Sequence, residues 1–481
     1  MTIMMLAYAL IMPAVSGFLF VTWCTRSDPE QSFFERFFLG FGIGTGMATF
    51  EMFLLGLFRI PLNLVTISIV QIATAILLGY LLRRTGTPWR RIFSKEAGGP
   101  GGSLATVTHL HRVVVIILTA WILAKVLFVL YEGFFLPENT SDSWEHWSSG
   151  AKFFFYEKGF ALDPANEHFF GAGYLKVQRY PLNVPLMQVW ISLCIGEANE
   201  VYMKVWNALF YIGMVGLIFF AVSRKTTLMI ALLAAFFLST VPLLTYHALI
   251  AYADLPLSAY ALGTMVCFWS TIDALKSGRA GYARGQLVLM GTCAALCVWT
   301  KMEGMFFAAA FAASLALYYL VKKISFKQVM AFLAPIVLIS VPWYVFLHYI
   351  RVPVSYGEVK LLGATITKGI HFQVLPVIAK QILFSANFNL IFLFLFLLII
   401  VGYKKILQSD LAYLYGALLS IMAIFLVLYL GTDTYRWVMN LTAVNRNILT
   451  FIPMMYYVAA LTAGRLLEGE PVTDHGIDKA L

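Results

Sequence analysis

The chain has 481 residues, of which 60% are hydrophobic and only 12% are charged. A soluble globular protein is about 45–50% apolar and about 25% charged, so this composition excludes an ordinary soluble domain. It predicts an all-α integral membrane protein, because helices satisfy their own backbone hydrogen bonds in lipid. The net charge of +10 does not indicate nucleic-acid binding, since the basic residues lie between apolar segments, as the positive-inside rule predicts.

The N-terminus and the cysteines both have simple interpretations. The N-terminus is apolar without a basic region or cleavage site, which predicts a first span and not a removed signal. The cysteines do not have zinc-ligand spacing, so they are interpreted as small buried hydrophobes. They are Cys24, Cys194, Cys267, Cys293 and Cys297.

Apolar runs of about 18 residues or more are long enough to cross a bilayer as helices, and they recur along the whole chain. They predict about thirteen transmembrane helices, of which 286–300 is the shortest. The predicted spans are 4–23, 33–58, 62–82, 113–132, 202–222, 228–246, 255–272, 286–300, 303–321, 328–349, 380–402, 411–430 and 448–466.

Clusters of lysine and arginine predict which loops are cytoplasmic. These clusters contain Arg83, Arg84, Arg90, Arg91, Lys95, Arg112, Arg224, Lys225, Lys276, Arg279, Arg284, Lys322, Lys323, Lys327, Lys404 and Lys405. Alternation of the spans then places 133–201, 247–254, 301–303, 350–379 and 431–447 outside. The assignment is consistent only if 181–196 does not cross, so we expect that segment to be a helix lying on or dipping into the outer leaflet.

The sequence divides by composition into six parts. Three N-terminal transmembrane helices (1–94) are followed by a Gly-rich, basic cytoplasmic linker (95–112). The predicted core is 113–349, and its long outer loop 133–201 is expected to carry short juxtamembrane helices. The outer loop 350–379 is a candidate lid with Tyr356, Glu358, Lys360 and Lys368. C-terminal helices (380–467) and a polar cytoplasmic tail (468–481) complete the chain.

Four groups of polar residues fall on the predicted outer side. Charged residues at span ends usually face a cavity or one another. A carboxylate there can act as a general base, and an arginine can hold a phosphate. Together they suit a reaction with a phosphate leaving group and a hydroxyl or amine nucleophile. The groups are Asp142 with Glu145 and His146; Asp254; Lys301 with Glu303; and Arg446, with Arg436 nearby.

Simpler interpretations of the carboxylates stand beside this one. Asp142 and Glu145 are alternatively solvated loop charges, because loops are normally polar. Asp254 is alternatively a cap of the helix that follows it, with Pro256 in the first turn.

The cations and aromatic residues have simpler interpretations as well. Lys301 and Glu303 alternatively pair with each other, and Arg446 alternatively extends to the lipid headgroups. Trp144 and Trp147 are typical of the aromatic belt at a membrane interface. His247 and His371 are interpreted as packing or interfacial residues, since their spacing meets no metal-binding pattern.

The motifs resemble those of the bacterial GT-C glycosyltransferases, which include relatives of the protein O-mannosyltransferases and of the lipid A aminoarabinose transferase. The resemblance covers roughly residues 113–466 and leaves out the first three predicted spans. It is carried by Asp142-x-Trp-x-x-Trp, Ala151-Lys152, Tyr180-Pro181-Leu182-x-x-Pro185, Tyr252-Ala253-Asp254-Leu255-Pro256-Leu257, Trp299-Thr300-Lys301-x-Glu303-Gly304, and Arg446 ahead of Pro453.

The resemblance implies a GT-C-like bundle that transfers a sugar from a polyprenyl-phosphate donor, with inversion, to a lipid, glycan or protein. It implies that Asp142 is the base, although Glu145 competes for that role because it departs from the family's pattern. Asp254 would orient the acceptor, and Arg446 with Lys301 would hold the donor phosphate. The residues implied to contact substrate are Trp144, His146, Trp147, Lys152, Tyr180 and Glu303.

The resemblance also implies that no metal or other cofactor is needed, and that the protein lies in the bacterial inner membrane with its site facing the periplasm. A transporter or flippase of a lipid-linked or small polar substrate is the main alternative, but charges near mid-membrane and two similar halves would then be expected. A ligase or polymerase using a diphosphate-linked glycan is a further alternative, and a non-catalytic scaffold would not need the converging charges.

Overall fold

A computed structural model of the chain describes residues 2–27, 31–86, 109–172, 180–322, 325–350, 366–367 and 369–467. Three predictions lie largely or wholly outside these residues. They concern the linker 95–112, of which only 109–112 are described; the lid residues Tyr356, Glu358, Lys360 and Lys368; and the tail 468–481.

The regular elements of the described residues are helices, apart from an isolated bridge between Ile366 and Thr432. The α-helices are α1 (Thr2–Cys24), α2 (Phe33–Leu57), α3 (Leu64–Arg84), α4 (His109–Phe135), α5 (Ser149–Glu157), α6 (Asn183–Ile195), α7 (Glu200–Met203), α8 (Val205–Ser223), α9 (Leu228–Ser239), α10 (Pro242–Ala248), α11 (Asp254–Lys276), α12 (Ala280–Thr300), α13 (Gly304–Lys322), α14 (Phe326–Tyr349), α15 (Val374–Leu383), α16 (Ile391–Leu407), α17 (Leu411–Gly431), α18 (Tyr435–Met439), α19 (Val444–Leu449) and α20 (Ile452–Leu467). The all-α membrane class predicted from the sequence is confirmed.

Ten helices of the described residues are long and apolar enough to cross a membrane, or eleven if the bent pair α9 and α10 is one span. The predicted count of thirteen is therefore not confirmed. The predicted span 228–246 is broken by a 67° bend, because Pro242 begins a new helix. The predicted span 380–402 is also interrupted, because α15 ends at Leu383 and α16 begins at Ile391. The predicted span 286–300 lies in α12, which is not one of these ten helices.

The helices differ strongly in how much of their surface the protein covers. The apolar stretches of α11 and of the α19–α20 segment are 94% buried, whereas those of α3 and α4 are 17% and 11% buried. A helix that is buried on every side belongs to the core of a bundle, and one with exposed apolar side chains faces lipid. The core is therefore formed around α11, with α3 and α4 at its edge.

The first two helices are part of this core. Glycines let them approach closely, since a Cβ atom on Gly17 would lie 1.9 Å from the carbonyl oxygen of Gly40. The indole of Trp190 in α6 also donates to the Ala9 carbonyl oxygen of α1 at 2.7 Å. The N-terminal hairpin lies outside the family resemblance, but it is hydrogen-bonded to the part of the chain that resembles the family.

The segment 181–196 contains α6, which has 13 residues and is too short to cross a bilayer. It does not lie at the surface of the protein as a leaflet-bound helix would, because 11 of its residues are buried. Asn183 explains the difference. Its side chain accepts from Thr49 at 2.6 Å and donates to Thr300 at 2.8 Å, and both partners belong to neighbouring helices.

Candidate active site

Four chain segments that are far apart in sequence bring their charged residues together at one end of the bundle. Asp142 directly precedes a single π-helical stretch, Ser143–Ser148. Asp254 is the first residue of α11, Lys301 directly follows α12, and Arg446 lies in the short helix α19. The sequence predicts all four on one side of the membrane, and the structure brings them into one network.

Arg446 is the centre of the network. Its Nε donates to Oδ2 of Asp254 at 3.0 Å, and its Nη1 donates to Oδ2 of Asp142, a residue 304 positions away. Hydrogen bonds between ionised partners are stronger than neutral ones, and the planar guanidinium holds its partners at fixed angles. Arg446 therefore fixes the position of the Asp142 loop against the start of α11.

Lys301 completes the network from the opposite side of Asp254. Its ammonium lies 2.9 Å from Oδ1 of Asp254 and 3.0 Å from Oε1 of Glu303. Burial lowers the pKa of Lys301, but the charges of Asp254 and Glu303 outweigh burial and raise it overall. Lys301 is consequently a stable cation. It forms the expected pair with Glu303 and a second pair with Asp254.

Asp254 is completely buried. One of its oxygens accepts from Lys301 and the other accepts from Arg446, and no side chain caps α11. The imidazole Nδ1 of His247 lies 3.8 Å from Oδ2 of Asp254. A buried carboxylate is very unfavourable unless it is paired and hydrogen-bonded, so Asp254 serves here to hold Arg446 and Lys301.

The charged side chains of the network differ in their access to solvent. Those of Asp142 and Arg446 are 35% and 23% exposed, whereas those of Asp254 and Lys301 are 0% and 6% exposed. The Nη2 group of Arg446 makes no hydrogen bond to any residue that the structure describes. A substrate that reaches the site would therefore meet Asp142 and Arg446.

Aromatic side chains form a wall beside the charges. The guanidinium carbon of Arg446 lies 4.3 Å from the ring centroid of Tyr252, within the range of a cation–π contact. Trp147 meets Tyr180 edge-on at 5.6 Å, and these rings pack around Val184. Burial raises the pKa of Tyr180 to about 12. The pKa of Tyr252 is also raised, first by burial and then by the negative charge of Asp142.

Other residues predicted for the site lie elsewhere or remain at its edge. Lys152 forms an ion pair with Glu200 instead of joining the network. Trp144 and Glu145 are exposed, whereas the carboxylate of Asp142 accepts from Arg446. The Nε2 atom of His146 lies 3.9 Å from Oδ1 of Asp142, which keeps it beside the candidate base.

His247, which the sequence predicts to be a packing or interfacial residue, lies beside the network. It is almost completely buried, and its ring meets that of Tyr252 edge-on at 5.3 Å. The signal was present, because His247 begins the same short outer segment, 247–254, that ends with Asp254. In the described residues, the His, Cys, Asp and Glu side chains form no group of three that could hold a metal ion.

The fold and the site define a multi-span membrane protein with an ionic network at the ends of its helices. The sequence matches no protein-family model, and the search of curated proteins gave no match. Among solved structures, the chain is similar to the crystal structure of ArnT from Cupriavidus metallidurans in the apo state, at 15% sequence identity and a TM-score of 0.49. The similarity covers 74% of this chain and 60% of that chain, less than two thirds of its length.

Proposed function

We propose that the protein is a membrane glycosyltransferase of the GT-C type. Its donor is a polyprenyl-phosphate sugar that approaches from the bilayer, and its acceptor is a lipid, glycan or protein. The site faces the outer, periplasmic side of a bacterial inner membrane, so the reaction belongs to the synthesis of cell-envelope glycans.

The observation that carries this proposal is the pair of accessible side chains, Asp142 and Arg446. A base and a phosphate-binding cation are the two groups that transfer from a sugar phosphate requires, and here they touch each other. Arg446 uses Nε and Nη1 for its two carboxylates, which leaves the Nη2 side of its planar group for phosphate oxygens. Phosphates are well matched to that fork of donors.

In the proposed reaction, an acceptor hydroxyl or amine attacks the anomeric carbon of the sugar from the face opposite the phosphate. Asp142 takes the proton from the attacking atom. The bond between the anomeric carbon and the phosphate oxygen breaks, and the electron pair leaves with the polyprenyl phosphate. The configuration at the anomeric carbon is therefore inverted.

The cations stabilise the charge that collects on the leaving phosphate, which is where preorganised charge is most effective. Arg446 contacts the phosphate directly. Lys301 acts one step behind it, because its ammonium is buried between Asp254 and Glu303. No metal is assigned to this step, since the cationic side chains of the network supply the positive charge.

The test is a transfer assay with purified protein in lipid and a panel of radiolabelled polyprenyl-phosphate sugars, with wild type measured beside Asp142→Asn. We expect wild type to consume one of these donors and Asp142→Asn to lose that activity while keeping its thermal stability. Consumption of polyprenyl-diphosphate glycans alone would favour a ligase or polymerase. A folded wild type that consumes no donor of either kind would overturn the proposal and favour transport.

A further inference from the structure

Glu138 is a buried carboxylate in the loop that leads to Asp142. It is only 4% exposed, although Pro137 and Asn139 on either side of it are exposed. Loops normally turn their charges toward water, and burial of an unpaired carboxylate is very unfavourable. The inward orientation of Glu138 therefore needs a set of compensating interactions.

Three hydrogen bonds supply that compensation. The Oε1 atom accepts from the backbone N–H of Asn139 at 3.1 Å and from the hydroxyl of Thr140 at 3.0 Å. The Oε2 atom accepts from the backbone N–H of Ala251 at 3.0 Å, across 113 residues of sequence. One carboxylate thus joins two loops, and Ala251 is only three residues from Asp254.

Ser143 strengthens the same connection from the other side of Asp142. Its hydroxyl lies 2.7 Å from that of Thr140, and its oxygen shares the Ala251 N–H with Glu138, at 3.2 Å. Asp142 is therefore flanked by side chains, Glu138 and Ser143, that both bind Ala251. A little further along the chain, Trp147 packs against Ala253.

We infer that Glu138 is a positioning residue, which holds the Asp142 loop against the segment that begins α11 and so sets the distance from the base to the Arg446–Asp254 pair. This inference rests on the proposed function, because it assigns Glu138 a role in the reaction of that site. Glu138 contacts neither donor nor acceptor, and it acts through the placement of Asp142.

The size of the effect follows from the sensitivity of group transfer to geometry. A displacement of about 1 Å at reacting groups can lower the rate roughly 100-fold. Arg446 would still attract Asp142 after Glu138 is removed, but the loop would lose its fixed attachment to Ala251. Turnover should therefore fall, while binding of the donor at Arg446 should change little.

The experiment compares Glu138→Ala and Glu138→Gln with wild type and with Glu132→Gln, a matched removal of one charge. The carboxylate of Glu132 lies at the end of α4 and makes no hydrogen bond within the described residues. Three quantities are measured for each protein in lipid: kcat and KM for the donor, thermal stability, and amide hydrogen exchange of the peptide that contains Ala251.

We expect Glu138→Ala to lower kcat by roughly 10- to 100-fold with donor KM within about twofold of wild type. Exchange of the Ala251 amide should become roughly tenfold faster, because a charge-assisted hydrogen bond is lost. Glu138→Gln keeps the shape and one acceptor oxygen, so its values should lie between those of Glu138→Ala and wild type. Glu132→Gln should match wild type in kcat, donor KM, thermal stability and amide exchange.

Wild-type kcat in both Glu138 variants would overturn the inference. It would also be overturned by a fall in kcat without faster exchange at Ala251, because Glu138 would then act by another route. If Glu138→Ala does not fold, Glu138→Gln decides by the same criteria. If wild type transfers no sugar, the proposed function is refuted, and the role of Glu138 in that reaction is refuted with it. If the protein is active but exchange at Ala251 is unchanged in the Glu138 variants, only the positioning role is refuted.

Discussion

Two ionic clusters lie at opposite ends of α11, and the arginine pairs at their centres differ in accessibility. The first is the site network around Asp254, at the first residue of the helix. The second contains Asp273, 19 residues later in the same helix, which corresponds to about 28 Å along the axis. Both clusters join distant parts of the chain through arginine, so charge and long-range pairing alone do not distinguish a site from a structural contact.

The centre of the second cluster is the pair of Arg224 and Glu35. The Nη2 atom of Arg224 donates to Oε1 of Glu35 at 2.9 Å and to the hydroxyl of Ser270 at 2.8 Å. Its Nη1 atom donates to the hydroxyl of Tyr282 at 3.2 Å. Nearby, Asp273 accepts from Lys225 at 2.9 Å. The cluster thus joins the beginning of α2 to α8, α11 and α12.

The arginine pairs at the centres of the two clusters differ in accessibility, although each cluster also contains side chains of the other kind, such as Asp273 at 32% and Asp254 at 0% exposed. The side chains of Arg224 and Glu35 are 5% and 1% exposed, whereas those of Arg446 and Asp142 are 23% and 35% exposed. A substrate would therefore meet the Arg446–Asp142 pair more readily than the Arg224–Glu35 pair. The buried Arg224–Glu35 pair thus holds helices together, and the more accessible Arg446–Asp142 pair is the one that the proposed function uses.

The largest expected effect on turnover is that of Asp142→Asn. Loss of a general base typically lowers a rate by about 10²–10⁴-fold, and we expect kcat for sugar transfer to fall by that range with little change in thermal stability. Glu145→Gln is the matched control, because it removes a neighbouring exposed carboxylate. If Glu145→Gln were the more damaging change, the base would be Glu145, and the interpretation of the network would be wrong.

Arg446→Lys is expected to have the next largest effect. Lysine keeps the positive charge but cannot reproduce the planar fork that reaches Asp142, Asp254 and a phosphate together. We expect donor kcat/KM to fall by roughly 10²-fold, which corresponds to about 2.7 kcal/mol. Acceptor KM, measured at saturating donor, should change much less, and equal effects on the two substrates would argue against a phosphate role.

Arg224→Met should break the opposite cluster and affect stability instead of chemistry. Removal of one partner of a buried ion pair costs about 3–5 kcal/mol, whereas replacing both partners with apolar residues is often neutral. We therefore expect a clear loss of thermal stability in Arg224→Met and a partial recovery in the double variant with Glu35→Met. The kcat of folded protein should stay near the wild-type value, and a selective loss of kcat would contradict the distinction between the clusters.

The smallest effect is expected for Lys152→Ala. Its ion pair with Glu200 is partly exposed, and such pairs contribute about 0–1 kcal/mol to stability. Transfer kinetics and thermal stability should therefore stay close to those of wild type. A large rise in donor KM would return Lys152 to the site, as the family resemblance implied.

The sequence predicted the class of fold and most of the helix positions, because apolar length is a strong signal in a membrane protein. It also selected Asp142, Asp254, Lys301 and Arg446, since charges at span ends stand out against apolar surroundings. It did not predict the bend before Pro242, although that proline offered a signal.

The sequence did not predict which residues pair within the site. The bond from Arg446 to Asp142 joins residues 304 positions apart, and local patterns carry no information about such a distance. Glu138 resembles any loop glutamate in the sequence, because only its contact with Ala251 reveals that it is turned inward. The sequence likewise did not predict that Lys152 pairs with Glu200.

The hydrogen bonds of the N-terminal hairpin have a consequence for biosynthesis. Thr49 in α2 accepts from the indole of Trp299, 250 residues later in the chain, at 3.1 Å. At about 5–20 residues per second, translation needs roughly 12 to 50 s to cover that separation. During that interval the Thr49 hydroxyl of the first hairpin lacks its partner in α12, so this contact can form only after most of the chain has been synthesised.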